Sequence, residues 1–553
     1  MVAEARTLAE RLAARDDREL AALFAARRVS THVTWRSWFD AAEALLAPDS
    51  VASALRTLPR DDVNRLRAGQ GPELLGLTDA EGRPFAAVAA ALPRELAPTP
   101  DRVPEPAGPE AAAHAAERAF TATTALADLL IDALRVPLGR VGSGLAAADR
   151  RRLVQDALAR DPEEADALVR AAERAGLLLG QERRWLVTAA GAEWIRLSTG
   201  ERWARLAGEL RAALPAGLRR GAGWIDLTLW RDAYPLDPDW PAEAERWLEL
   251  WRLAGLVAED GGEPDWAKPL RTGGAPDAAP LLALLPSEVD RVFLQNDLTA
   301  ISPGPLAPSL DVRLRGMAVR ESHAQASTYR FTEASLGQAL SAGETATGIR
   351  EFLTELSLTG LPQPLAYLID RTAERHGLVR ISSDPTTGHT IVSSRDHQLL
   401  DTIAVDQALR ALGLVPDGRL LRTRAERSAV YWALTDARYP VVVIDEDGQP
   451  IALQRHRLAP DPQPATDRYG ALLARLRDSE SGDTETAWLK RELDAAVREK
   501  ATLVVAVSLP DGSTREFTLE ATGLGGGRLR GLDRGADVER TLPIRSIASV
   551  RRP

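Results

Sequence analysis

Residues 333–394 read EASLGQALSAGETATGIREFLTELSLTGLPQPLAYLIDRTAERHGLVRISSDPTTGHTIVSS. Apolar residues recur here at helical spacing, interrupted by glycine and proline, and then give way to β-branched runs. The spacing predicts helices over Glu333–Ser341, Thr345–Leu356 and Gln363–Arg375. Two strands follow, Leu378–Ser382 and His389–Ser393, around the turn Pro385-Thr386-Thr387-Gly388. Three helices and a two-stranded wing form the pattern of a winged helix-turn-helix.

The pattern occurs once more, upstream. Helices are predicted at Ala125–Leu134, Ala146–Ala159 and Pro162–Ala175. Strands at Leu177–Leu179 and Trp185–Val187 follow, turning at Gly180-Gln181. The C-terminal stretch is different. Ala501–Val507, the turn Asp511-Gly512 and Arg515–Leu519 make a hairpin, and the meander continues through Leu529–Leu532 and Arg540–Ile544 to Ile547–Val550.

The fold expected is therefore mainly α and multidomain, with two winged-helix-like modules and a small C-terminal β-barrel. Its parts are an N-terminal helical domain (1–92), a linker (93–114) and a winged-helix-like module with extra helices (115–258). A second linker (259–280) leads to the second module (281–395). A small α/β segment (396–458), a third linker (459–485) and the β-barrel (486–553) complete the chain.

A chain of 553 residues far exceeds what one core can organise, so several domains are required. It has no cysteine, which excludes disulfides and thiolate metal sites and fits a reducing cytoplasm. The net charge of −10 argues against a protein that coats nucleic acid along its whole surface, while leaving room for a local basic patch. The early carboxylates Glu4, Glu10, Asp16 and Asp17 and the short apolar runs predict neither a secretory leader nor a membrane span. A cytoplasmic protein without membrane contact is expected.

Chemistry is hard to find. A nucleotide-driven motor needs a glycine loop ending in lysine and a hydroxyl residue. The three lysines, Lys268, Lys490 and Lys500, precede proline, arginine and alanine. The seven histidines are scattered singly, and no nucleophile elbow occurs. No catalytic residue, cofactor or metal is expected. Asp445–Gly448 reads as a hairpin turn, not a calcium loop. Nine of the thirteen tryptophans fall between Trp185 and Trp266, and packing between helices accounts for them.

Candidate nucleic-acid contacts come from two places. Arg371, Arg375 and His376 close the third helix of the second module, and Arg380 lies on its wing. In the first module the third helix opens with Asp161-Pro162-Glu163-Glu164, which would repel phosphates. Residues 500–553 form the one clearly basic module, where Arg528, Arg530, Arg540 and Arg545 could hold an anion.

The segment Leu284–Gly377 resembles the helicase-associated domain on the amino-terminal side of XPB-type DNA repair helicases. The features that carry the likeness are Gln295-Asn296-Asp297-Leu298-Thr299, Pro303-Gly304-Pro305-Leu306, Tyr329-Arg330-Phe331 and Pro362-Gln363-Pro364-Leu365. The C-terminal module is similar to a WYL-type, Sm-like barrel through Gly527-Arg528-Leu529 and Arg540–Arg545. It departs from that family where Gly527-Arg528 replaces the Trp-Tyr pair. The resemblance implies a helicase connection for a chain with no motor loop. The expected function is a non-catalytic accessory protein that binds DNA, an XPB-type helicase or both, in DNA repair. The alternative is a WYL-type winged-helix transcriptional regulator.

Overall fold

The computed structural model describes residues 2–70, 74–94, 96, 102–321, 327–445, 448, 450–451, 458–460, 468–478, 484–508 and 513–551. The turn at Asp511-Gly512 and Glu446 and Asp447 of the Asp445–Gly448 turn lie outside these residues. The chain is mixed, 49% helix and 19% sheet, and not mainly α. It forms two compact units. One joins Met1–Asp101, Thr228–Ala244 and Pro462–Pro553, and the other joins Arg102–Leu227 and Glu245–Asp461.

In the first unit, short helices from Val2–Ala14 to Ala86–Ala91 bury one apolar face each. Asp16 caps the helix Asp17–Ala26 by accepting from the Glu19 N–H, and Ser37 caps Trp38–Leu46 in the same way. The core they build is not complete by itself. Tyr469, Leu472, Leu473 and Leu476 enter it from the far end of the sequence. They belong to Tyr469 and the helix Gly470–Asp478, inside the stretch 459–485 that its prolines and charges mark as a linker. The Tyr469 hydroxyl donates to the Val29 carbonyl at 2.9 Å, and Arg477 donates to the Ala13 carbonyl at 2.5 Å while lying over the Trp38 ring.

The same unit holds a five-stranded antiparallel sheet, ordered Val538–Pro543, Arg528–Asp533, Thr514–Gly525, Thr502–Ser508, Ile547–Arg551. The helix Thr484–Glu499 sends Leu493 and Ala496 into its core. A three-residue turn, Ile544–Ser546, carries the chain from one edge of the sheet to the other, so the sheet curls strongly. The two edge strands nevertheless make no ladder with each other among the described residues. The expected closed β-barrel is thus an open, curled sheet.

The second unit begins with the helix Pro109–Arg135, which starts inside the stretch expected to be a linker. The four strands of its small sheet run in the order Gly144–Leu145, Leu138–Val141, Arg184–Val187, Leu178–Gln181, with the helices Ala147–Gln155 and Pro162–Arg174 between them in sequence. Asp161 caps the second of these helices by accepting from the Glu164 N–H. The expected linker 259–280 is also packed, since Trp266, Ala267 and Leu270 are buried.

The helices Glu333–Ser341, Ala346–Leu356 and Gln363–Arg375 lie where the sequence places them. Gly377, with a φ of +78°, ends the last and turns the chain into Val379–Ser383. The hairpin with Thr390–Ser394 is not a free wing. It is the centre of a six-stranded sheet, flanked on one side by Leu420–Thr423 and on the other, in parallel, by Val441–Ile444. Val379, Ile381 and Val392 are fully buried beneath the helices His397–Val405 and Arg427–Asp436. One sheet therefore spans the expected boundary between 395 and 396. The alternation of apolar residues that reads as a wing serves a shared core.

An ion cluster ties the first helix of this unit to the segment that follows Pro308. Asp128 accepts from Arg315 and, at 3.2 Å, from Arg320. The three side chains are between 6% and 11% exposed. Arg320 also donates to the Ser327 hydroxyl at 2.8 Å, and the Tyr329 hydroxyl donates to Asp311 at 2.5 Å. Burial and the nearby Asp311 carboxylate push the Tyr329 phenol up, so it stays protonated.

Two substitutions test this architecture. Leu476→Ala removes a fully buried side chain, and chemical denaturation should show a loss of about 2–5 kcal/mol. An unchanged midpoint would mean that 470–478 is a tether after all. Asp128→Ala removes the carboxylate that two buried guanidinium groups share, and a loss of about 3–5 kcal/mol is expected. Hydrogen exchange across 128–135 and 311–320 should accelerate together, and independent behaviour of the two segments would contradict the clamp.

Candidate nucleic-acid interface

The arginines proposed from the sequence do not all remain available. On the helix Gln363–Arg375, Arg375 pairs with Glu333 at 2.7 Å. His376 is half-buried, and its Nε2 meets the Ser341 hydroxyl at 3.2 Å. Burial pushes its imidazole below the ordinary histidine value, so it is neutral at neutral pH and is no phosphate cation. Arg371 and Arg380 are exposed and make no ion pair among the described residues. Sequence reasoning missed Tyr367, 66% exposed one turn before Arg371, although its i,i+4 spacing to that arginine was visible. The neighbouring helix presents Glu351 and Glu355, so this face is mixed in charge.

The turn after the hairpin strand is held by Asp384. Its carboxylate accepts from the Thr387 hydroxyl at 2.6 Å and the Thr386 N–H at 2.9 Å, and Arg422 pairs with it at 2.8 Å. These donors lower its pKa to about 2.

The C-terminal sheet is clearer. Strand parity separates the four arginines proposed there. Arg528 and Arg530 flank the buried Leu529 on Arg528–Asp533, so both point away from the core. Arg540 pairs in register with Gly531 and lies on the opposite side, bonded to the largely buried Asp533 at 2.6 Å and stacked on Phe517. It is a structural residue, and it holds the Asp533 carboxyl below the usual range. Arg545 is exposed on the turn Ile544–Ser546, and the Ile544 N–H donates to the Gly527 carbonyl beside Arg528.

Ion pairing then decides where the charge is left over. Arg534, Arg540 and Arg551 pair with Glu520, Asp533 and Glu516. Among the described residues from 500 onward, Lys500, Arg515, Arg528, Arg530 and Arg545 remain against Asp537 and Glu539. Beside Arg530 and Arg528 on the neighbouring strand lie Gly523 and Gly525. A Cβ at either glycine would meet open space, so the two guanidinium groups stand next to bare backbone. A phosphate can approach closely there.

No group of three or more His, Asp or Glu side chains among the described residues could hold a metal. The nine tryptophans from Trp185 to Trp266 are all buried and form no stacking platform. No helix among the described residues is long and apolar enough to cross a membrane.

Residues 292–416 match the family model described as a helicase conserved C-terminal domain. No curated protein matches the chain. The match places a helicase-related domain on the three-helix region and the first part of the six-stranded sheet. Among the described residues the named strands within this range pair antiparallel with one another, Val292 and Ser357 form a parallel bridge, and Val379–Ser383 pairs in parallel with Val441–Ile444 beyond it.

Acid titration tests the Asp384 turn. Its folded pKa lies below the ordinary 3.8, so its stabilisation is present above that pH and is lost as pH falls through about 2. The Thr386 amide resonance should shift with a midpoint near that lower value, and a midpoint at the ordinary carboxylate pH would contradict the bonding described.

Proposed function

We propose that this chain is a non-catalytic helicase-associated accessory protein that holds nucleic acid by its phosphate backbone, at Arg528, Arg530 and Arg545. The observation that carries the reading is the pairing of a helicase-related domain with a surplus of unpaired arginines on an otherwise acidic chain. Two features favour an accessory over a motor. None of the lysines lies in a phosphate loop, and the strand Val379–Ser383, which pairs in parallel with Val441–Ile444, runs on into an antiparallel hairpin and not into a helix. Absence of exposed tryptophan in the 185–266 cluster favours backbone contact over base stacking.

The helicase served is, in this reading, a separate XPB-type motor, and the process is DNA repair. Both follow from the likeness of Leu284–Gly377. Arg371 and Arg380, exposed and without an ion pair among the described residues, then form a secondary contact.

Fluorescence anisotropy with labelled single-stranded, duplex and forked DNA across a salt series tests this. The unmodified chain should bind with a salt-dependent affinity. The combined variant Arg528→Ala/Arg530→Ala should bind more weakly, with a log–log salt slope less steep by about 2 on duplex DNA. No binding at low salt, or an unchanged slope in the variant, would overturn the reading.

A further inference from the structure

The small sheet of the second unit has a basic end that the reading above does not use. Arg140 on Leu138–Val141 donates its backbone N–H to the Arg183 carbonyl, which brings the turns at 142–143 and 182–183 to the same end. Arg183 and Arg184 are exposed and make no ion pair among the described residues. The carboxylate that precedes them on the turn, Glu182, is exposed and makes no ion pair among the described residues.

Arg140 is held in place by local structure. Its guanidinium lies over the buried Trp185 ring, 5.3 Å from the centroid, and donates to the Glu182 carbonyl at 3.3 Å. Gly180 makes the space, since a Cβ there would come within 2.7 Å of the Arg140 Nε. That Nε is buried and has no hydrogen-bond partner. The turn itself is strained, because Glu182 has a φ of +50° in the region that favours glycine. Leu138 pairs with Trp185 and Gly139 with Arg184, so Arg184 lies on the face opposite Arg140 and the hairpin end carries guanidinium on both faces; the fixed one loses little side-chain entropy when it meets a ligand.

We propose that this end of the sheet is a second nucleic-acid contact, which grips the phosphate backbone of a duplex through Arg140, Arg183 and Arg184. The ligand class follows from the side chains. Three guanidinium groups suit phosphate oxygens, and the aromatic ring at the site, Trp185, is fully buried and cannot stack on a base. The contact is made by the hairpin and not by the start of the helix Pro162–Arg174, where Asp161, Glu163 and Glu164 would repel phosphate.

The chain has no cysteine, so a single Ser143→Cys on the exposed turn beside this cluster carries a photo-cross-linker at one position only. In an Arg528→Ala/Arg530→Ala background at low salt, the labelled chain should still cross-link to a blunt duplex. Adding Arg183→Ala/Arg184→Ala should abolish most of the adduct and make the salt slope less steep by about 2 again. Both residues are exposed, so the fold survives the change. Absence of an adduct, or an adduct and slope indifferent to Arg183 and Arg184, overturns this proposal. Those outcomes leave the C-terminal contact standing, because that contact is judged by comparing the background variant with the unmodified chain.

Discussion

Asp128 lies two turns before the end of the helix Pro109–Arg135 with two arginines closed over it, and within the second unit that contact joins the helix to the segment after Pro308. A carboxylate buried to this degree needs cationic partners, and Arg315, which Asp311 also approaches at 3.6 Å, and Arg320 supply them. Removing Asp128 takes away the carboxylate that the two guanidinium groups share. The contact therefore fixes the first helices of the unit against the helicase-related segment more specifically than apolar packing alone would. Tyr329 and Asp311 extend it, and the protonated phenol adds a donor to a cluster otherwise built from charges.

The same rule, applied across the surface, explains how an acidic chain can carry basic sites. Most arginines are bonded to carboxylates or carbonyls of the protein. Arg477 is bound by the N-terminal helices, Arg27 is enclosed among backbone oxygens, and Arg375 and Arg540 are paired. Among the described arginines without an ion pair are Arg528, Arg530 and Arg545 on the curled sheet and Arg183 and Arg184 at the hairpin end. Net charge says little about function here, because the useful cations are those that the fold does not neutralise.

Much of the local structure was legible in the sequence. Helical spacing and breakers placed the helices around 333–375 within a residue or two, and the tryptophans were correctly assigned to packing. Longer-range facts were not legible. Nothing local marks Tyr469 and Leu476 as parts of a core more than 400 residues away in sequence. The strands at 379–394 look the same whether they form a wing or the centre of a sheet, because alternation reports burial and not the neighbour. For the site, residue type identified the arginines, but pairing and strand parity decided which remain available. That selection removed Arg540, Arg375 and His376 and drew in Arg183 and Arg184, which had no motif to announce them.

The central proposal is that unpaired arginines hold nucleic acid by its phosphate backbone. Hydrogen exchange of the full chain, read by mass spectrometry with and without a blunt DNA duplex, tests it most directly. The account predicts slowed exchange at 523–530 and at the turns 140–144 and 181–184, with the acidic helix start at 161–166 unchanged. Protection centred on 161–166 or on the helix Gln363–Arg375 alone, with the two arginine clusters unaffected, would contradict it.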